Sequence, residues 1–132
     1  MIIEMTNRSD QFYLSMGPLL SRREIVKEVG GPIWDDDSKR WFLYMNSHGT
    51  VIGFAAMIAT EKVVHMCSSW VRPGHRRQGI GASLVRRRIE QSQKLFPGVA
   101  MSAVCTAKSV GNYRRAGFRC AKQTKNFVTM EK

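Results

Sequence analysis

The run Val51-Ile-Gly-Phe-Ala-Ala-Met-Ile-Ala59 is apolar at every position. A strand with one wet face alternates apolar and polar residues, so an unbroken run of this kind must be covered on both faces. Two further strands flank it in the sequence. "RWFLYMN" (Arg40–Asn46) precedes it across the turn "SHGT", and "KVVHMCSSWV" (Lys62–Val71) follows and ends at Arg72-Pro73. With 132 residues the chain fits one domain that buries a single core without metals or disulfides.

The remaining segments supply the cover. Ile2–Met5 reads as an opening strand, and Ser9-Asp10 as the cap of a short helix through about Met16. Ser21-Arg-Arg-Glu24 matches a capping box, which predicts a two-turn helix ended by Gly30-Gly31-Pro32. From Gly79 to about Phe96, Ile80, Leu84, Val85, Ile89 and Phe96 form one helical stripe that Pro97-Gly98 stops. "VAMSAVC" is another buried strand, "SVGNYRRA" a short helix, and "FRCAK" with "NFVTME" a closing hairpin. The order β-α-α-β-β-β-α-β-α-β-β predicts an α/β (α+β) domain, a mixed sheet with helices on its faces.

Charge divides the chain. Residues 1–61 carry six basic and eight acidic groups, and residues 62–132 carry fifteen basic and two acidic. Such a split points to an anionic ligand or partner for the second half, or to a solvated basic surface. Cys67, Cys105 and Cys120 have no metal-binding spacing, and Asp35–Asp37 lacks the alternation of a calcium loop, so no metal is expected. The odd cysteine count, with neither a secretory leader nor a membrane-length apolar run, suits a reducing, cytoplasmic setting.

Within the basic half, "VRPGHRRQGIGASLVRRR" (Val71–Arg88) places Gly79, Gly81 and a cluster of arginines at the start of a helix. A helix that follows a glycine turn presents unpaired N–H groups and the positive end of its dipole, which favours an anion. A Walker A loop would need a lysine after the glycines, and a dinucleotide fingerprint would need a glycine where Leu84 stands. The run Arg76-Arg77-Gln78-Gly79-Ile80-Gly81 instead resembles the pyrophosphate loop of the GNAT superfamily, the acyl-CoA-dependent N-acetyltransferases. "YRRAGF" (Tyr113–Phe118) resembles that family's second element, Tyr-x-x-x-Gly-Phe, at the expected distance downstream. The resemblance covers about Trp41 to the C-terminus. Residues 1–40 match only in element order and correspond to a helical acceptor-side segment.

The resemblance implies a largely antiparallel sheet whose fourth and fifth strands splay apart to admit acetyl-CoA as co-substrate. By that mapping Ser69, Trp70 and Val71 line the pantetheine, and Arg76, Arg77, Gln78, Gly79, Ile80, Gly81 and Ala82 wrap the pyrophosphate. Thr106 stands where many members carry a pantetheine-binding asparagine, so that contact is either lost or made by its hydroxyl. Of Arg86, Arg87 and Arg88, one is expected at the 3′-phosphate with the others solvated, unless they bind the substrate. Tyr113 resembles the family's general acid, against the alternative of a core aromatic. His65, eleven residues before Arg76, replaces the glutamate base that some members carry on this strand; the alternative is a histidine packed at the sheet surface.

The implied activity is direct transfer of an acetyl group to an amine. A rival of another class is a catalytically silent nucleic-acid-binding module, supported by Arg114, Arg115, Arg119, Lys122 and Lys125. No nucleic-acid-reading motif accompanies them. A third reading combines the two, with nucleic acid or a protein bound to it as acceptor. The identity of the acceptor and the oligomeric state, homodimer or otherwise, stay open.

Overall fold

In a computed structural model describing residues 1–132, the apolar run forms the third strand of a seven-stranded sheet. The elements are β1 (Ile2–Met5), α1 (Phe12–Leu20), α2 (Arg23–Val29), β2 (Lys39–Met45), β3 (Val51–Ala59) and β4 (Val63–Val71). They continue as α3 (Ile80–Leu95), β5 (Ala100–Cys105), α4 (Val110–Arg115), β6 (Arg119–Gln123) and β7 (Val128–Glu131). The sheet order is β1-β2-β3-β4-β5-β7-β6, and every neighbouring pair is antiparallel except β4 with β5. That parallel pair is joined by the crossover helix α3, the connection parallel strands require.

Alternate residues of β3 serve opposite cores. Ala55 and Met57 meet Ile80, Leu84, Val85 and Ile89 of α3 on one face. Phe54 and Ala56 meet Phe12, Met16, Leu19 and Ile25 of α1 and α2 on the other, with Trp41 and Trp70 beside them. The predicted mixed sheet with helices on both faces is therefore present, in the predicted order of elements. No helix is long and apolar enough to cross a membrane.

Two local expectations fail. The capping box does not form: α2 starts at Arg23 behind an extended Arg22 that makes no side-chain cap, because Ser21 is already the C-cap of α1. α1 itself begins at Phe12, not at a Ser9-Asp10 cap, and runs through Gly17 and Pro18 to Leu20. A glycine and a proline together cost a helix up to about 4 kcal/mol against alanine. Phe12, Met16 and Leu19 lie on one face and are all buried, each stabilising by about 1.5–3 kcal/mol, so packing overrides propensity.

At the far margin, all five residues of β6 are exposed, and only β7 pairs with it. Leu84→Ala and Phe54→Ala, which truncate fully buried side chains, should each lose about 2–5 kcal/mol in urea unfolding. Leu14→Ala, at a position 74% exposed, should change stability by no more than about 0.5 kcal/mol.

Candidate functional site

The site begins where two strands part. β4 pairs with β5 from Val63↔Ala100 to Met66↔Ala103. Beyond Met66, β4 continues to Val71 in register with β3 alone. The opening is lined by Cys67, Ser68 and Ser69 of β4, Val104 and Cys105 of β5, Thr106 and Ser109 beyond it, Glu28 of α2, and Tyr113 of α4.

A bulge sits at the point of parting. The β3–β4 register shifts between Phe54 and Ala56, and Ser68 takes φ 53°, a left-handed conformation that a serine rarely adopts. Its consequence is a change of parity. Cys67 packs on the α1–α2 core and Trp70 lies within it, although an odd spacing of three would put them on opposite faces of a regular strand. Lys39 secures the bulge from below. Its Nζ, on a side chain 5% exposed, donates to Ser68 Oγ at 3.2 Å and to Trp34 O at 2.5 Å.

Downstream of β4 the chain turns through three left-handed residues, Gly74 (φ 92°), Arg77 (φ 64°) and Gly79 (φ 82°), into α3. No side chain caps this helix, so its first N–H groups are not taken up by a capping side chain. The two glycines have different reasons to be glycine. A Cβ on Gly79 would meet nothing within 4 Å, so there the backbone angle alone selects glycine. A Cβ on Gly81 would lie 2.9 Å from Asn112 Nδ2, so this glycine lets α4 approach α3.

Each residue singled out from the sequence has a definite place. Ser69, Thr106 and Tyr113 come together in the cleft. Trp70 does not turn its ring there: the indole is buried against Phe54 at 5.6 Å, so only its main chain is available. Val71 is half-buried, and its carbonyl accepts from Arg76 Nε at 2.8 Å. Arg76 is already engaged, its Nη2 lying 2.5 Å from Glu28 Oε2 and tying the loop to α2. Arg77 and Gln78 are exposed, Ile80 is buried in the α3 core, and Ala82 is half-buried in the first turn. His65 is exposed on β4 and is not among the cleft-lining residues.

Tyr113 owes its position to the end of α4. Gly117 is left-handed (φ 99°), its N–H donates to Arg114 O at 3.0 Å, and the Phe118 N–H donates to Tyr113 O at 3.0 Å. This Schellman turn folds Phe118 back so that its ring meets the Tyr113 ring edge-on at 5.2 Å. The spacing Tyr-x-x-x-Gly-Phe is thus a device for seating one phenol, and both rings are buried.

Sequence reasoning missed three groups. Arg88 was expected at a phosphate, in solvent or at the substrate, yet it is fully buried and donates from Nη2 to the Tyr113 hydroxyl at 3.0 Å. Its place four residues after Leu84, on the apolar stripe, was the available signal. Lys39 and Glu28 carried no such signal.

Burial pushes the thiols of Cys67 and Cys105 above their ordinary range. At Cys67 the nearby Lys39 and Arg88 cations oppose that effect without cancelling it. Both therefore remain thiols at neutral pH, the form that is neither a nucleophile nor readily alkylated. At pH 7.5, iodoacetamide should label the exposed Cys120 first, with Cys67 and Cys105 modified at least about tenfold more slowly by peptide mass spectrometry.

The family profile described as "Acetyltransferase (GNAT) family" matches residues 6–118. Among solved structures, Escherichia coli ElaA superposes with TM-score 0.80 at 13% identity, over 100% of this chain and 99% of that one. An acyl-CoA N-acyltransferase from Pseudomonas aeruginosa gives 0.77 at 14% identity, over 100% and 98%. Spermidine N-acetyltransferase from Vibrio cholerae, in complex with CoA and spermine, gives 0.71 at 13% identity, over 98% and 92%. At these identities the superpositions establish the fold. Compared with curated protein sequences, the chain has no significant match. By its family profile, and with the sheet, the parted strands and both motifs in place, the chain belongs to the GNAT acetyltransferase family.

Proposed function

We propose that the protein transfers an acetyl group from acetyl-CoA to a primary amine by direct attack, without an acyl-enzyme. The observation that carries this reading is the cleft between β4 and β5, with Tyr113 among the residues that line it and the uncapped start of α3 downstream of the same strand. Those are the parts an acyl-CoA substrate needs. The α3 N-terminus and the loop from Arg76 to Ala82 offer main-chain donors and positive charge to a pyrophosphate. The main chain of Ser69–Val71, which β5 leaves unpaired, offers donors and acceptors to an amide-bearing pantetheine. Thr106, which also lines the cleft, stands where many members of the family carry an asparagine.

In this reading the amine attacks the thioester carbonyl and Tyr113 gives its proton to the departing sulfur. His65, exposed on β4, takes the proton of the acceptor ammonium through solvent. The protonated Cys67 thiol supports a mechanism without a covalent enzyme intermediate. A cationic acceptor, such as a polyamine, is supported by the carboxylates Asp35–Asp37. These follow Trp34, whose carbonyl is bonded through Lys39 to the cleft residue Ser68. Asp37 accepts from Asn7 Nδ2 at 2.7 Å, and Asp35 accepts from the Tyr13 hydroxyl, which holds that phenol above its ordinary range.

Acetyl-CoA at about a hundred times its Kd should stabilise the native state by about 2.7 kcal/mol and raise the melting temperature by several degrees. Thiol release should appear on adding a polyamine. A melting curve indifferent to acetyl-CoA, but shifted by DNA or RNA in low salt, would favour the nucleic-acid reading. His65→Ala should lower the rate about 10- to 100-fold at pH 7 and less at pH 9, where the amine is more often already neutral. An equal loss at both values would remove His65 from the mechanism.

A further inference from the structure

Among fully buried side chains Arg88 is second only to Trp41 in volume. Its Nε donates to Leu84 O at 3.2 Å, its Nη1 to Ala56 O at 3.2 Å and its Nη2 to the Tyr113 hydroxyl oxygen at 3.0 Å. The guanidinium carbon lies 5.7 Å from the centre of the Tyr113 ring. The three salt bridges of the molecule join Arg40 to Glu4, Arg76 to Glu28 and Arg87 to Glu90, and Arg88 takes part in none. A guanidinium keeps its charge at any working pH, and a buried charge with no counter-charge is destabilising where an apolar side chain would pack well. Position 88 lies on the apolar stripe of α3, between Leu84 and Ser92, where a methionine or leucine would satisfy packing alone.

Two of Arg88's three acceptors are main-chain carbonyls of α3 and β3. The third is the one side chain of this set that also lines the cleft. Because the phenol oxygen accepts from Nη2, the phenol proton points away from the guanidinium, and no acceptor within the protein takes it.

We propose that Arg88 is the positioning residue of Tyr113. It fixes the phenol oxygen at the cleft wall and stabilises the negative charge left there when the proton departs. This deepens the acyl-transfer reading and rests on it. As the carbon–sulfur bond of the thioester breaks, its electron pair goes to sulfur. The sulfur takes the proton of the Tyr113 O–H, and the O–H pair stays on the phenolate oxygen beside the guanidinium. Solvent returns a proton to the phenolate, replacing the one the amine has released. No net charge is created in the cleft without a cation already facing it.

The test compares wild type, Arg88→Met, Arg88→Gln, Tyr113→Phe and Arg88→Met/Tyr113→Phe, with spermine as acceptor. Two donors are used: acetyl-CoA and its selenoester analogue, whose selenolate is a weak base that leaves without a proton. With acetyl-CoA, Arg88→Met should lower kcat about 10- to 100-fold with KM little changed. With the selenoester the loss should shrink to about threefold or less, because the acid is no longer needed. The double variant should be no slower than Tyr113→Phe, and the melting temperature of Arg88→Met should equal or exceed that of wild type. Arg88→Gln keeps a donor without the charge, so it should show the same donor dependence and serves if the methionine variant does not fold. Equal losses with both donors, or losses that multiply in the double variant, would overturn the role of Arg88 alone. A wild-type protein that binds neither donor and releases no thiol would overturn the acyl-transfer reading, and this role with it.

Discussion

The structure turns on one interruption, the loss of pairing between β4 and β5 after Met66 and Ala103. Main-chain donors and acceptors in a sheet interior must find partners, so parallel strands do not part in mid-sheet without consequence. Here several elements hold the gap open. The bulge at Ser68 re-aims β4, and β7 rather than a continuation of β4 takes the other side of β5. The crossover helix α3 starts from beyond the free end of β4, and α4 closes the floor with Tyr113. In the function proposed above, this gap is where an extended, amide-bearing substrate finds the main-chain partners that β5 leaves free.

Two cations lie inside the protein near this gap, and they answer different needs. Lys39 spends its donors on the carbonyl of Trp34 and the hydroxyl of Ser68, so it joins the acceptor-side loop to the bulge. Its cost is set against the order it imposes on a strained residue. Arg88 reaches two main-chain carbonyls, Leu84 O of α3 and Ala56 O of β3, and a third acceptor, the Tyr113 hydroxyl, on a residue that lines the cleft. The contrast sets a buried charge that ties two segments together beside one that, in the role proposed for it, serves the phenol at the cleft.

Much of the molecule was legible in the sequence. β3 announced two covered faces, and the periodicity of α3 and the turn residues around it marked out that helix. Tyr-x-x-x-Gly-Phe pointed to one wall of the cleft through Tyr113, whereas the glycine loop lies beyond the residues that line it. What stayed hidden depended on contacts between distant segments. α1 runs through Gly17 and Pro18 only because Phe12, Met16 and Leu19 find the sheet, and its extension removes Ser21 from the capping box. Counting back from Arg76 to His65 crosses the bulge at Ser68, where the inside–outside alternation changes parity and no residue type marks the change. Lys39 opens β2 without any periodic signal, and its burial depends on Trp34 and Ser68 arriving from elsewhere. Arg88 was different: its place on the stripe could be counted, and three consecutive arginines obscured it.

The outermost strand, β6, carries the charge of the basic half of the chain to an edge of the sheet. Its free edge displays unsatisfied main-chain groups, an invitation to any strand from a neighbouring molecule. Arg119 and Lys122 stand on that same margin, so a second copy approaching edge to edge would bring like charge against like charge. Like charge thus guards this border of the sheet, one of the two that hydrogen bonding leaves unfinished, and the guard weakens as salt is added.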